Sequence, residues 1–199
     1  MLDKIASLMA IIAVPLSLLN WFGGIVSLVW LLILGEWGLI GYGILSILGA
    51  GIFLSIVLMP ALLFAAPAAA FERKNIKIGA YFFALLSEIY TIGVLSIWCI
   101  AIFVYHISQA TPDSIFPVLV WSYSVATGPI VWLASKDLQS GDQYAMVSTF
   151  FIQIAYLLSI LSILLLGFSL TYLFIIFTLM MTVAIIFEFS ISQIEEMQT

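Results

Sequence analysis

Apolar residues run along this chain in long stretches, broken at a few short places where Gly, Ser, Asp or charged residues collect. The breaks are Gly35-Glu36-Trp37-Gly38, then Glu72-Arg73-Lys74-Asn75-Ile76-Lys77, Ser108 to Ser114, Ser135 to Asp142, and Gly167-Phe168-Ser169. A helix needs about 20 mostly apolar residues to cross a bilayer core. Cutting at the breaks predicts six spans at approximately 5–34, 39–66, 78–106, 115–134, 145–166 and 170–192. The fold class is an all-α polytopic membrane protein, a bundle of about six transmembrane helices.

The first stretch needs a choice. At 1.5 Å per residue it makes about 45 Å of helix, and Pro15 and Gly23-Gly24 interrupt it. It is either one long, tilted or kinked helix or the two arms of a re-entrant hairpin. Lys and Arg favour cytoplasmic loops. A single first helix with the N-terminus inside puts Lys4, the Arg73/Lys74/Lys77 loop and Lys136 on the cytoplasmic side, whereas a hairpin moves the Arg73 loop outside. The single helix is preferred, giving cytoplasmic N- and C-termini and one integral membrane domain over residues 1–199. Lys4 before an apolar run imitates a signal peptide, but the run continues past residue 30 without a small-x-small cleavage site, so it reads as an uncleaved span.

Composition then excludes whole classes. With 65% hydrophobic and 8% charged residues in 199, there is too little polar surface to cover a soluble globule. The lipid bilayer is the expected solvent. A net charge of −5 with 5 basic residues excludes a nucleic-acid surface. One cysteine, Cys99, and one histidine, His106, allow no internal disulfide and no tetrahedral metal site, so no metal and no cofactor is expected. The absence of an Asn-x-Ser/Thr sequon fits a multi-pass protein of a bacterial plasma membrane.

Among candidate residues, Glu88 stands out, about ten residues into the third span. A carboxylate at the bilayer centre costs at least ~2.5 kcal/mol on insertion scales, so it needs a partner or a function. At 100° per residue, Ser87, Glu88, Thr91, Cys99 and His106 share a stripe of about 120°, interrupted by Leu95. Other spans offer polar groups at similar depth: Asn20, then Ser122, Ser124 and Thr127, then Thr149, Gln153 and Tyr156, then Thr171, Thr178 and Thr182. Such convergence is where carriers bind substrate, commonly at broken helices, and Gly128-Pro129 is a candidate break. The expected transport path is therefore Glu88, Thr91, Ser87, Asn20, Gln153 and Thr127, although Ser, Thr, Asn and Gln also serve as ordinary contacts between helices.

Small residues of the second span, Gly43, Ser46, Ala50, Ala61 and Ala65, share one face and predict close packing, within the bundle or between protomers. Gly41-Tyr42-Gly43 has the core of a potassium filter but lacks its flanking residues, with Leu39, Ile40 and Ile44 in their places. Trp37 and Trp132 fit interfacial belts, while Trp21, at mid-depth, either lines a cavity or, as the preferred reading, fills the core. Residues Trp121 to Pro129 read as specified sequence without an assignable mechanism. Ser140-Gly141-Asp142 faintly suggests a protease motif, but His106 falls on the opposite side of the membrane, so the chain reads as no enzyme.

Two functions fit these features. One is a small carrier or channel moving an ion, proton or small solute along a polar path centred on Glu88. The other is a non-catalytic sensor, anchor or assembly subunit. Its basic loop, Arg73, Lys74 and Lys77, would engage a partner membrane or cytoplasmic protein. Homo-oligomerisation is expected where the chain completes a path by symmetry.

Overall fold

A computed structural model describes the backbone of residues 2–139 and 144–198, and side chains within 8–9, 11–132, 147 and 149–187. The side chains of Lys4, Lys136, Ser140 to Asp142, Glu188, Glu195 and Glu196 lie outside the described residues. The order is α1 (Leu2–Leu34), α2 (Trp37–Arg73), α3 (Lys77–Gln109), α4 (Ile115–Gln139), α5 (Tyr144–Leu166) and α6 (Leu170–Gln198). All six are long and apolar enough to cross a membrane.

The first helix is continuous through Pro15 and Gly23-Gly24; there is no re-entrant hairpin. Helix α2 runs seven residues beyond its predicted end at 66, because Pro67 costs a single ladder bond and Ala68, Ala69 and Ala70 are strong helix formers. Gly35 and Gly167, at φ 76° and 84°, supply the left-handed residue that ends α1 and α5. Asn75, at φ 57°, does the same in the turn after α2.

Helix α4 is the hub, packing against α1, α2, α3 and α5. In its spanning window 61% of residues are buried, against 17% for α2. It is also the least apolar span, as a helix screened from lipid can be. One core cluster draws on all six helices, with Phe103, Leu119, Ile152, Tyr156, Leu173 and Phe177 at its centre. A second cluster joins Val147 and Phe151 of α5 to Ala184 of α6, with Met9 of α1 against it. The start of α1 and the end of α6 thus lie at the same end of the bundle.

Towards that end, α2 and α3 part from the other helices. No described side chain between Leu54 and Ile92 is buried; past Leu58, which still packs against the core, residues 55–91 form a two-helix arm held mainly by α2–α3 contacts. Phe71 stacks on Phe83 with ring centroids 5.6 Å apart, Ser87 donates to the Ala61 carbonyl at 3.1 Å, and Tyr90 donates to the Val57 carbonyl at 2.8 Å.

Glycine sets the closest crossings. A Cβ on Gly24 would lie 2.8 Å from Ser124 Cβ, and one on Gly43 would lie 2.4 Å from the Trp121 indole nitrogen. The small-residue face of α2 is thus divided. Gly43 receives Trp121 of α4 and Ala50 is fully buried in the core, whereas Ser46 is half-buried and Ala61 belongs to the arm.

Gly24→Val should push α1 off α4 and lower unfolding stability by about 1–3 kcal/mol, the usual cost of overpacking. Gly49→Val places its side chain in open space and should stay within about 0.5 kcal/mol of wild type. Thermal or SDS-induced unfolding of the purified variants measures both.

Candidate functional site

Hydroxyl groups on apolar helices have two ways to find an acceptor, and only one of them joins helices. Ser17, Ser27, Ser96, Ser159 and Thr182 donate to the carbonyl four residues back in their own helix. Thr91 does the same to Ser87 at 2.9 Å. These bonds satisfy the hydroxyl and leave the neighbouring helix free.

The bonds that cross between helices gather on α1, α4 and α5. Ser124 of α4 donates to the Asn20 backbone carbonyl at 2.8 Å. The Asn20 amide nitrogen donates to Thr127 Oγ1, and Thr127 donates in turn to the Tyr123 carbonyl at 2.8 Å. Tyr123 donates to Gln153 Oε1 at 2.9 Å, and Gln153 Nε2 reaches Ser17 Oγ at 3.3 Å. Asn20, Thr127 and Gln153, three of the expected path residues, therefore belong to one buried network on three helices.

Glu88, Ser87 and Thr91 are not part of it. Ser87 faces α2, and Glu88 is half-buried on the arm with no hydrogen-bond partner among the described residues. Measured along the axes from the end shared by Leu34, Ile115 and Gln109, Asn20 stands at about 21 Å, Thr127 at about 18 Å and Glu88 at about 32 Å. The carboxyl and the amide network occupy different levels. The rest of its stripe turns inwards: Cys99 and His106 are fully buried, and Leu95, between Thr91 and Cys99, is buried too. His106 Nδ1 lies 2.8 Å from the Ile102 carbonyl, and its Nε2 and the Tyr156 hydroxyl are buried without a partner among the described residues. In the last helix Thr171, Thr178 and Thr182 are exposed and turn away from the core.

Proline positions on α2 and α4 share a device. Helix α4 continues through Gly128-Pro129, so the candidate break is not an unwound segment. Trp98 of α3 donates to the Ala126 carbonyl at 3.2 Å, three residues before Pro129, and Tyr90 of α3 donates to the Val57 carbonyl, three residues before Pro60. Each α3 side chain donates to the carbonyl next to the one that a proline leaves without its ladder bond.

Beside the amide network, α1, α2 and α4 enclose a cavity of about 570 Å³. Asn20, Trp21 and Gly24 of α1, Gly51 of α2, and Ser124 and Gly128 of α4 contribute to its wall. Its volume is in the range of small-molecule pockets, roughly 300–1,000 Å³. No Asp, Glu, Lys, Arg or His lines it. Trp21 and Trp132 stand at its mouth, 59% and 52% exposed on the apolar outside of the bundle. Trp21 is therefore not the core filler expected from its depth. A glycine on each of three helices, not bulk, opens the space around it. The adjacent pairs Asn20-Trp21 and Gly23-Gly24 carried that signal in the sequence, but only with the α1–α4 pairing known.

The basic residues Arg73, Lys74 and Lys77 sit at the tip of the arm, far along α2 and α3 from the cavity. No protein-family model, curated protein or solved structure matches this chain.

Tyr123→Phe removes the donor to Gln153 and should cost about 0.6 kcal/mol, with an upper bound near 1.7, as for other hydrogen bonds between membrane helices. A double-mutant cycle with Gln153→Leu, read by SDS unfolding, should recover that coupling. Thr182→Val, which loses only a bond within its own helix, should change nothing measurable.

Proposed function

We propose that this protein is a small integral membrane carrier for a lipophilic molecule, which enters from the bilayer through the side of the bundle and is held between α1, α2 and α4. The observation that carries this reading is the cavity itself: uncharged, apolar over most of its wall, flanked by exposed tryptophans, and touching a polar network that joins three helices. A water-soluble ion would find no charge there to replace its hydration. In this reading Asn20 and Thr127 supply the polar contact, and Glu88 lies off the route. With the Arg73/Lys74/Lys77 tip in the cytoplasm, as the charge bias favours, both termini are cytoplasmic and the host is a bacterial plasma membrane.

A second reading has its own support. The arm over residues 55–91 buries no side chain, and it carries Glu88 without a partner among the described residues. A basic or hydroxyl group on a helix of another protein, or of a second copy, would compensate that carboxyl and cover the arm. The chain would then be a non-catalytic subunit whose basic tip also touches its partner.

The readings differ in what they predict. For the carrier, native mass spectrometry of protein extracted gently from its own membrane should find a bound lipophile. Gly51→Leu combined with Gly128→Leu, which fills the cavity, should remove it, while Glu88→Gln should retain it. A stoichiometric second protein lost on Glu88→Gln, with no lipophile in either form, would instead establish the subunit reading.

A further inference from the structure

The hydrogen bonds around Asn20 constrain what the cavity can hold, beyond its being apolar. Thr127 has one proton, and it is given to the Tyr123 carbonyl. With that proton so placed, its oxygen accepts from Asn20, and the carboxamide is assigned with Nδ2 towards Thr127. The other end of the amide, Oδ1, has no hydrogen-bond partner among the described residues, although Asn20 is 2% exposed and that residue lines the cavity. It is an acceptor without a donor among the described residues and, unlike His106 Nε2 and the Tyr156 hydroxyl, it is not sealed inside the protein.

The surrounding groups cannot satisfy it. The Ser124 proton is shared between the Asn20 and Val120 carbonyls, at 2.8 and 3.2 Å, so Ser124 offers the cavity an acceptor only. The Trp121 indole N–H is committed to the Leu39 carbonyl at 3.3 Å. The indole N–H of Trp21 has no partner among the described residues and stands at the mouth. The wall thus presents acceptors at Asn20 and Ser124, and the indole N–H of Trp21 as a donor at the rim.

An occupant matching that pattern donates a hydrogen bond to Asn20, is able to accept one from Trp21, and is otherwise apolar. A hydroxyl does both. A phosphate or carboxylate would be desolvated facing two acceptors and no cation, and an ammonium would have no anion. Resting on the carrier reading above, we propose that the cavity binds an uncharged lipid alcohol, a molecule with an acyl or isoprenyl body and a free hydroxyl, whose O–H donates to Asn20 Oδ1.

The test uses three probes with one apolar body: farnesol, its methyl ether and farnesyl phosphate. Each is titrated as radiolabelled ligand into the full chain in lipid nanodiscs. Wild type should bind farnesol saturably, and more tightly than the ether by roughly five- to tenfold, the net worth of one hydrogen bond. Asn20→Leu should reduce farnesol to the affinity of the ether and leave the ether unchanged. The wild-type series alone decides the matter if that variant fails to fold. Equal, saturable binding of alcohol and ether, abolished by Gly51→Leu with Gly128→Leu, would overturn the hydroxyl assignment and leave the lipophile cavity standing. Tightest binding of the phosphate would overturn it as well. Saturable binding of none of the three would remove both the assignment and the carrier reading for isoprenyl bodies.

Discussion

In an apolar solvent a helix cannot leave a polar side chain to water, and the crossing of α1 on α4 is where this chain meets that constraint most directly. Gly24 removes the side chain that would hold the helices apart, so that Ser124 comes within 2.8 Å of the Asn20 carbonyl. With the helices at that distance, Asn20 reaches Thr127 and the amide is fixed. The same closeness positions the cavity, since Asn20, Gly24 and Ser124 all contribute to its wall. Close contact and network follow from one small residue on α1, and the cavity beside them needs Gly51 and Gly128 as well.

The hub position of α4 explains how so many polar groups are tolerated. Ser122, Tyr123 and Thr127 are each at most 6% exposed; Ser122 bonds back to Leu119 of its own helix, while Tyr123 and Thr127 meet α5 and α1. Helix α2 has the opposite problem. At 37 residues it is about 55 Å long, nearly twice a bilayer core of about 30 Å, and beyond Leu58 none of its side chains packs against the core. Only α3 accompanies it. Tyr90 and Trp98, on successive parts of α3, hold the arm and the hub respectively by donating to carbonyls near Pro60 and Pro129. One helix thus ties the splayed part of the fold to the compact part.

The spans were legible because bilayer thickness and backbone hydrogen bonding leave few alternatives, and charge clusters mark the turns. Helix ends were less so: Pro67 looks like a stop in sequence, but the following alanines carry α2 on to Arg73. Site residues divided by chemistry. Asn20 and Gln153 were visible because an amide cannot satisfy both ends on its own helix, whereas a serine or threonine can, as Thr182 does. Hydroxyls therefore signal little until the pairing is known. Glu88 was equally conspicuous, yet its depth depended on where α3 starts and ends, and the hub engages α3 only from Ile92 onwards. Tyr123 and Trp21 carried no polar-period signal, and their roles follow from which helices are neighbours.

The side chain of Asn20 is more than the contact requires. Ser124 bonds to its backbone carbonyl, which any residue would provide, and Thr127 already has the Tyr123 carbonyl for its proton. An apolar residue of similar size would keep the crossing and would remove an acceptor that has no donor among the described residues. In an apolar cavity without water such an acceptor costs up to about 1–3 kcal/mol, whereas one hydrogen bond between membrane helices returns only about 0.6. Stability alone therefore argues against an asparagine at this position. A ligand that supplies the missing donor reverses the balance, because the same acceptor then adds to binding what it had subtracted from folding. Orientation matters as much as energy: Thr127 holds the amide before any ligand arrives, so none of the binding energy is spent on turning it.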